Sequence, residues 1–198
     1  MVENLRDYLY NENQQIHSLF YARGVFMFRE MRRKRQVLSE KDIASVLYRG
    51  TSGVLALSGD DNYPYAVPIS YAYDGDRLYF HSAKSGHKLD AIQRNCKASF
   101  CVIDKDQIVP AEYTTYFRSV IIFGRMRVIQ DEQEKRAAIW KLAMKYAPDD
   151  SADGRRNAID REWDLLCMIA MDIDHMSGKE AIELVNERQK YDIWKHRT

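Results

Sequence analysis

The chain has 198 residues, 45% hydrophobic and 30% charged, the balance of a soluble globular domain. Its 30 Lys and Arg against 29 Asp and Glu leave a formal charge of +1, so there is no global pull towards nucleic acid or membrane. No apolar run approaches the ~20 residues of a membrane helix. Cys96, Cys101 and Cys167 form no CxxC pair, which fits a reducing cytoplasm better than a disulfide framework. The five histidines (His17, His81, His87, His175 and His196) lack zinc-ligand spacing with the cysteines, so no metal site is expected.

Residues 1–27 carry scattered aromatics without a clean period and read as an N-terminal extension. Val2 to Asn13 has no signal-peptide order. Arg29 to Arg35 is strongly basic but lacks an aromatic platform, so it reads as a solvated segment before the domain. Ser39 to Arg49 predicts a helix capped by Ser39, with Ile43, Val46 and Leu47 as its apolar stripe. Gly53 to Ser58 predicts a short strand. Pro64 to Tyr73 predicts an alternating one: Tyr65, Val67, Ile69, Tyr71 and Tyr73 form a bulky face, and Ala66, Pro68, Ser70 and Ala72 a small one. A small face admits either a flat ligand or closely packed backbone. Pro68 implies a bulge or an open edge.

Arg77 to Phe80 predicts the next strand, and a helix begins near Ser85 or Gly86 and runs to Asn95. Between strand and helix, His81-Ser82-Ala83-Lys84-Ser85-Gly86-His87-Lys88 brings two hydroxyls, two imidazoles and two ammonium groups to a helix N-terminus. Free amides and the positive dipole end favour an anion there. The same residues also suit an ordinary capped helix with solvated lysines. Further strands are expected at Ala98 to Asp104, Thr114 to Gln130 (with a bulge or bend at Gly124) and Leu165 to Ile173. Lys105 to Pro110 and Pro148 to Asn157 read as loops. Asp131 to Tyr146 reads as a helix with Ala138, Ile139, Leu142 and Met144 apolar. Ser177 to Glu180 opens a final helix or turn, and residues 189–198 are a charged tail. Tyr116, Val120, Ile122 and Met126 offer more apolar surface than one small barrel needs. About six strands joined mainly by hairpins favour a mainly β (α+β) antiparallel barrel with flanking helices.

The order of four segments resembles the split-barrel superfamily of pyridoxamine 5′-phosphate oxidase, and within it the nitroimidazole-resistance and related proteins. They are Met31 to Gln36, Tyr65 to Tyr71, His81 to Lys88, and Ser119 to Gly124. The resemblance implies a six-stranded Greek-key split barrel over residues 28–188, binding FMN, with FAD as an alternative. Val67, Pro68, Ile69 and Ser70 would line the flavin ring and ribityl chain. Ser82, Ala83, Gly86, His87 and Lys88 would form the phosphate loop. His81 would stand at the reactive side as the catalytic residue. Ser119 would come from the second subunit of a homodimer, with flavin at the interface. The implied activity is an FMN-dependent reductase of small electron-poor substrates, nitroaromatics among them, with NADH or NADPH as donor. A non-catalytic flavin- or haem-binding protein is the alternative. The oxidase's arginine is replaced here by His87, and its C-terminal Trp–Arg motif has no match, since Trp194 and Arg197 are poorly placed.

Overall fold

The structure, a computed structural model, describes residues 28–195, with side chains to Lys190. The expected extension at 1–27 lies outside the described residues. The chain divides into a unit of residues 1–32 and a unit from Arg33 onward that carries the fold. The elements are α1 (Glu40–Arg49), β1 (Ser52–Ser58), β2 (Pro64–Ser70), β3 (Ala72–Tyr73), β4 (Arg77–Ala83), α2 (His87–Arg94), β5 (Lys97–Val109), β6 (Thr114–Val128), α3 (Glu132–Tyr146), α4 (Ala152–Glu162), β7 (Leu166–Glu180) and α5 (Ile182–Lys195). The first helix forms as its sequence dictates. The Ser39 hydroxyl accepts from the Asp42 amide at 3.2 Å, and Ile43, Val46 and Leu47 are buried on one face.

All strand pairings are antiparallel, in the order β2-β1-β5-β6-β7-β4-β3. The two edge strands are one stretch of chain, since only Tyr71 separates β2 from β3. The first half of that stretch pairs with β1 and the second half with β4. The sheet therefore closes on itself through covalent continuity, and seven strands make the six staves of a split barrel. Tyr146, at the end of α3, pins the joint. Its hydroxyl accepts from the Tyr71 amide (3.0 Å), lies 2.8 Å from the Tyr71 carbonyl and hydrogen-bonds to the Thr51 carbonyl.

The expected alternation holds throughout this stretch. Tyr71 and Tyr73 are buried in the barrel core, and Tyr65, Val67 and Ile69 pack against it. Ala72 points the other way, into a second core with Tyr79, Ala138, Leu142, Leu166 and Met168 beneath α3. The bulge at Gly124 is present as a register shift between Phe123 and Gly124. A Cβ at Gly124 would lie 2.3 Å from the Asp172 carbonyl oxygen, so only glycine lets β7 pass this close.

Several boundaries differ from expectation. Residues 105–109 extend β5 instead of forming a loop, because an irregularity at Asp104 lets the ladder resume. Asp104 is there gripped by Arg49 (2.6 Å) and Arg118 (3.2 Å). The expected loop at 148–157 contains the start of α4, capped by Ser151 accepting from Gly154 at 2.9 Å. Ser177 to Glu180 continues β7, and the final helix begins at Ile182 and runs through the charged segment to Lys195. Met144 is exposed, while Ala138 and Leu142 bury their stripe as expected. Val120, Ile122 and Met126 are also buried in the barrel, so they are no spare surface. Among the described residues no helix is long and apolar enough to cross a membrane, and no group of His, Cys, Asp and Glu is placed to hold a metal.

Candidate functional site

Below the Tyr71 joint, β2 and the distal half of β4 come close without pairing. This is the split. One lip is the free edge of β2, where the β1–β2 register runs unbroken through Pro68 opposite Val54. A proline allows that only when its nitrogen faces an unpaired edge, so Pro68 marks an open edge and not a bulge. The other lip is His81 to Ala83.

Strand alternation decides which side chains can line this split. Val67 and Ile69 pack on the core and leave only main-chain groups at the edge, while Pro68 and Ser70 sit on the opposite, small face. On β4, Leu78 and Phe80 are in the barrel core and Tyr79 is in the core beneath α3. His81 and Ala83 share the face of Tyr79, and both are exposed. Ala72 and Tyr79 are directly opposed across β3 and β4, so the small face of β2 and His81 lie on the same outer side of the barrel wall.

Ser82 points the other way and stands opposite Cys167 in the β4–β7 ladder. Beyond it the chain turns at Gly86, whose φ of +122° strains any residue with a Cβ, and α2 begins at His87. A Cβ on Gly86 would meet nothing within 4 Å, so the approach to the helix N-terminus is open. No side chain caps this helix, in contrast to α1, α3 and α4. Its first amides are left to a ligand or solvent.

Lys88 is half-buried, and burial holds its ammonium below the ordinary lysine pKa. Among the described residues it has no hydrogen-bond or ion-pair partner. His87 is committed elsewhere. Its ring stacks on Tyr65 at 4.1 Å between centroids, and its Nε2 lies 3.6 Å from Asp60, which also holds Arg94 at 2.7 Å. The imidazole thus ties the start of α2 to β2 and does not point freely to the open helix start. Tyr65 and Asp60 were not foreseen, because their partners lie 22 and more positions away in the sequence.

Buried Cys167 has its thiol pKa raised by burial, against the opposing pull of Lys135, Lys84 and Lys88. That makes three ammonium groups converging on one end of the barrel. Ser119 is separate from all of this. It lies on β6, opposite Ile103 and Lys179, on the outer sheet face. Along the two lips of the split the fold sets Pro68, Ser70, His81 and Ala83 on the outer face, with Val67 and Ile69 as backbone, and Ser82, Gly86 and Lys88 at the start of α2, and leaves Ser119 apart on β6.

A family model described as pyridoxamine 5′-phosphate oxidase matches residues 39–180. An uncharacterized protein of Rhizobium meliloti (strain 1021) is 33% identical over 113 residues, covering 56% of this chain and 70% of that protein. A candidate 5-nitroimidazole antibiotic resistance protein from Bacteroides thetaiotaomicron VPI-5482 has a similar structure. It shows 25% identity and a TM-score of 0.59, over 73% of this chain and 86% of the other. An FAD and heme binding protein from Mycobacterium smegmatis shares the fold at 23% identity and a TM-score of 0.60, over 74% and 73% of the two chains. The match runs from the cap of α1 to the end of β7 and takes in every stave of the barrel, so this chain belongs to the pyridoxamine 5′-phosphate oxidase family of split-barrel proteins.

Proposed function

We propose that the protein is a flavin-dependent oxidoreductase that reduces a small electron-poor substrate, of nitroaromatic type, with electrons from NADH or NADPH. One observation carries the reading: a half-buried ammonium without an acidic partner among the described residues, Lys88, stands at an uncapped helix start beside an open strand edge. An anion there supplies the counter-charge that the protein does not. The Bacteroides and Mycobacterium relatives support the same direction, since their descriptions speak of nitroimidazole resistance and of FAD and heme binding.

The residues fit a flavin phosphate and ring. Lys88, Ser82 and the α2 amides would hold the phosphate. Gly86 keeps the approach clear, and the β2 edge from Val67 to Ser70 would carry the ring on its small face. A bound flavin supplies hydride and electron transfer. The chain's own residues position the reactants and exclude water. His81, exposed on the same face as Pro68 and Ser70, would deliver a proton to the reduced substrate.

The protein is proposed to act as a homodimer. The outer face of β5 and β6 carries Cys101 opposite Ile121 and Ile103 opposite Ser119. Phe123 and Ile103 are 37% and 62% exposed. This apolar face, not the inward residues Val120, Ile122 and Met126, is the surface a second copy would cover. Ser119 lies on it, and in such a dimer it would contribute to a flavin held mainly by the partner.

A second reading, storage or sensing of flavin or haem, draws on His81 having no acid or base hydrogen-bonded to it among the described residues. The absorption spectrum of purified protein separates these readings. Flavin bands, followed by bleaching with NADH or NADPH, support the reductase. Flavin without donor-driven bleaching, or a Soret band, supports the second. Colourless protein that takes up neither FMN nor FAD overturns both.

A further inference from the structure

A hollow of about 370 Å³ opens where the last turns of α1 and α3 meet over β3. That is within the ~300–1,000 Å³ typical of small-ligand sites. It shares no residue with the two lips of the split. Its walls are aromatic. Tyr48 on α1 and Tyr73 on β3 stand 5.0 Å apart between ring centroids, tilted by 54°. Trp140 and Met144 close it from α3. Tyr48 is 55% and Met144 44% exposed, so the described residues leave apolar groups uncovered here.

The charges around it do not balance. Lys141 and Lys145 stand one turn apart on the α3 wall. Lys141 is neutralised by Asp74, to which it donates a hydrogen bond. Lys145 is half-buried and has no carboxylate partner among the described residues. Its ammonium donates to the Gly50 carbonyl at 2.5 Å and lies 4.0 Å from the Tyr71 ring centroid. A carbonyl dipole and a π face are not a counter-ion, and burial draws the Lys145 pKa down to about 8. Buried Arg155, whose guanidinium lies 5.5 Å from the Trp140 ring centroid, donates only to the carbonyls of Ala147 (2.7 Å) and Pro148 (3.4 Å). It too lacks a carboxylate among the described residues. The hollow is therefore flat-sided, apolar and short of negative charge.

We propose that this hollow binds a small aromatic monocarboxylate, its ring against Tyr48, Tyr73 and Trp140 and its carboxylate on the Lys145 ammonium. An ammonium has three N–H donors, and Lys145 spends one on Gly50, so donors remain for the ligand. One unpaired lysine on the wall calls for one negative charge, and aromatic walls favour a flat ring. The site is separate from the flavin reading and does not depend on it.

The test is calorimetric titration of the purified protein with benzoate, benzyl alcohol and cyclohexanecarboxylate. Benzoate should bind about tenfold tighter than benzyl alcohol, the value of one charge-assisted contact. It should also bind tighter than cyclohexanecarboxylate, which keeps the charge and loses the flat face. Saturating FMN should leave the benzoate Kd unchanged. Lys145→Met should erase the preference for benzoate over the alcohol. Met144→Glu sets a carboxylate at an exposed position on the wall, so it should weaken benzoate about tenfold with the melting temperature unchanged. That variant leaves the Lys145 contacts with Gly50 and Tyr71 in place. No benzoate binding, equal affinity for acid and alcohol, or a benzoate Kd unmoved by Met144→Glu overturns the inference. Displacement of benzoate by FMN also overturns it, because the carboxylate then sits in the flavin site. Failure of FMN itself to bind removes the flavin reading and leaves this one standing.

Discussion

Lys88→Met separates function from stability more sharply than any other single change. Methionine keeps the length of the side chain and removes its charge. The wild-type ammonium is half-buried and lacks an acidic partner among the described residues, and burial holds its pKa below the ordinary value. A base whose folded-state pKa is lowered opposes folding at every pH below that value. The opposition fades as pH rises from there towards the unfolded lysine pKa. The cofactor-free variant should therefore melt no lower than wild type at pH 7, and any advantage it has should shrink by pH 10. Its affinity should move the opposite way. Losing one charge-assisted contact to a phosphate costs about 1.5–3 kcal/mol, roughly tenfold to a hundredfold in Kd. Fluorescence titration with FMN, paired with thermal melts of the stripped protein at pH 7 and 10, reads both quantities. Unchanged affinity, or a stripped variant that melts several degrees lower at pH 7, would show that the ammonium serves the fold and would refute the reasoning.

Three other expectations follow from the same geometry. His81→Asn should keep bound flavin and donor-driven bleaching while nitroaromatic reduction slows by about 10²–10⁴; stopped-flow with the half-reactions separated decides, and unchanged substrate reduction makes His81 structural. Phe123→Glu places a charge in the exposed apolar face of β6 and should turn a dimer into a folded monomer by sedimentation at micromolar concentration; a wild-type monomer with flavin bound contradicts the dimer. Gly124→Ala sets a Cβ 2.3 Å from a carbonyl oxygen of β7 and should cost ~1–3 kcal/mol, read as a fall in melting temperature.

Where the sequence was legible, the reason is periodicity. Residues 64–73 hold one alternation through two strands, because a strand that passes from one partner to another keeps its own pleat. That rule gave the bulky inner face and the small outer one without knowledge of any neighbour. Elements were missed where local composition argued against the contacts that decide. Lys105-Asp106-Gln107 is polar and followed by Pro110, so residues 105–109 read as a loop, yet they stay in a ladder because Thr114 to Arg118 pairs with them. Gly178 inside Ser177-Gly178-Lys179 looks like a break, yet it lies in β7 opposite Val120, under Leu38 and Ile43. The polar α4 was signalled only by its Ser151 cap.

The candidate site divides along the same line. Which residue types gather between His81 and Lys88 is a local fact, and the turn at Gly86 follows from it. Which of them are available to a ligand is not. His87 and Lys88 are neighbours at a helix start, yet a 100° step around the helix sends one to Tyr65 and Asp60 and the other under the loop towards Cys167. Lys84 and Lys88 look equivalent in the sequence as well. They differ because Ser82 pairs with Cys167, which sets β7 beneath the loop and lets Lys88 be half-buried while Lys84 stays exposed. The proposed affinity of this site for an anion would therefore depend on strand register 85 residues away. For that reason a substitution at Cys167 should alter anion binding through Lys88, read as a weaker Kd in FMN titration, before it alters the fold of the loop, with the melting temperature unchanged.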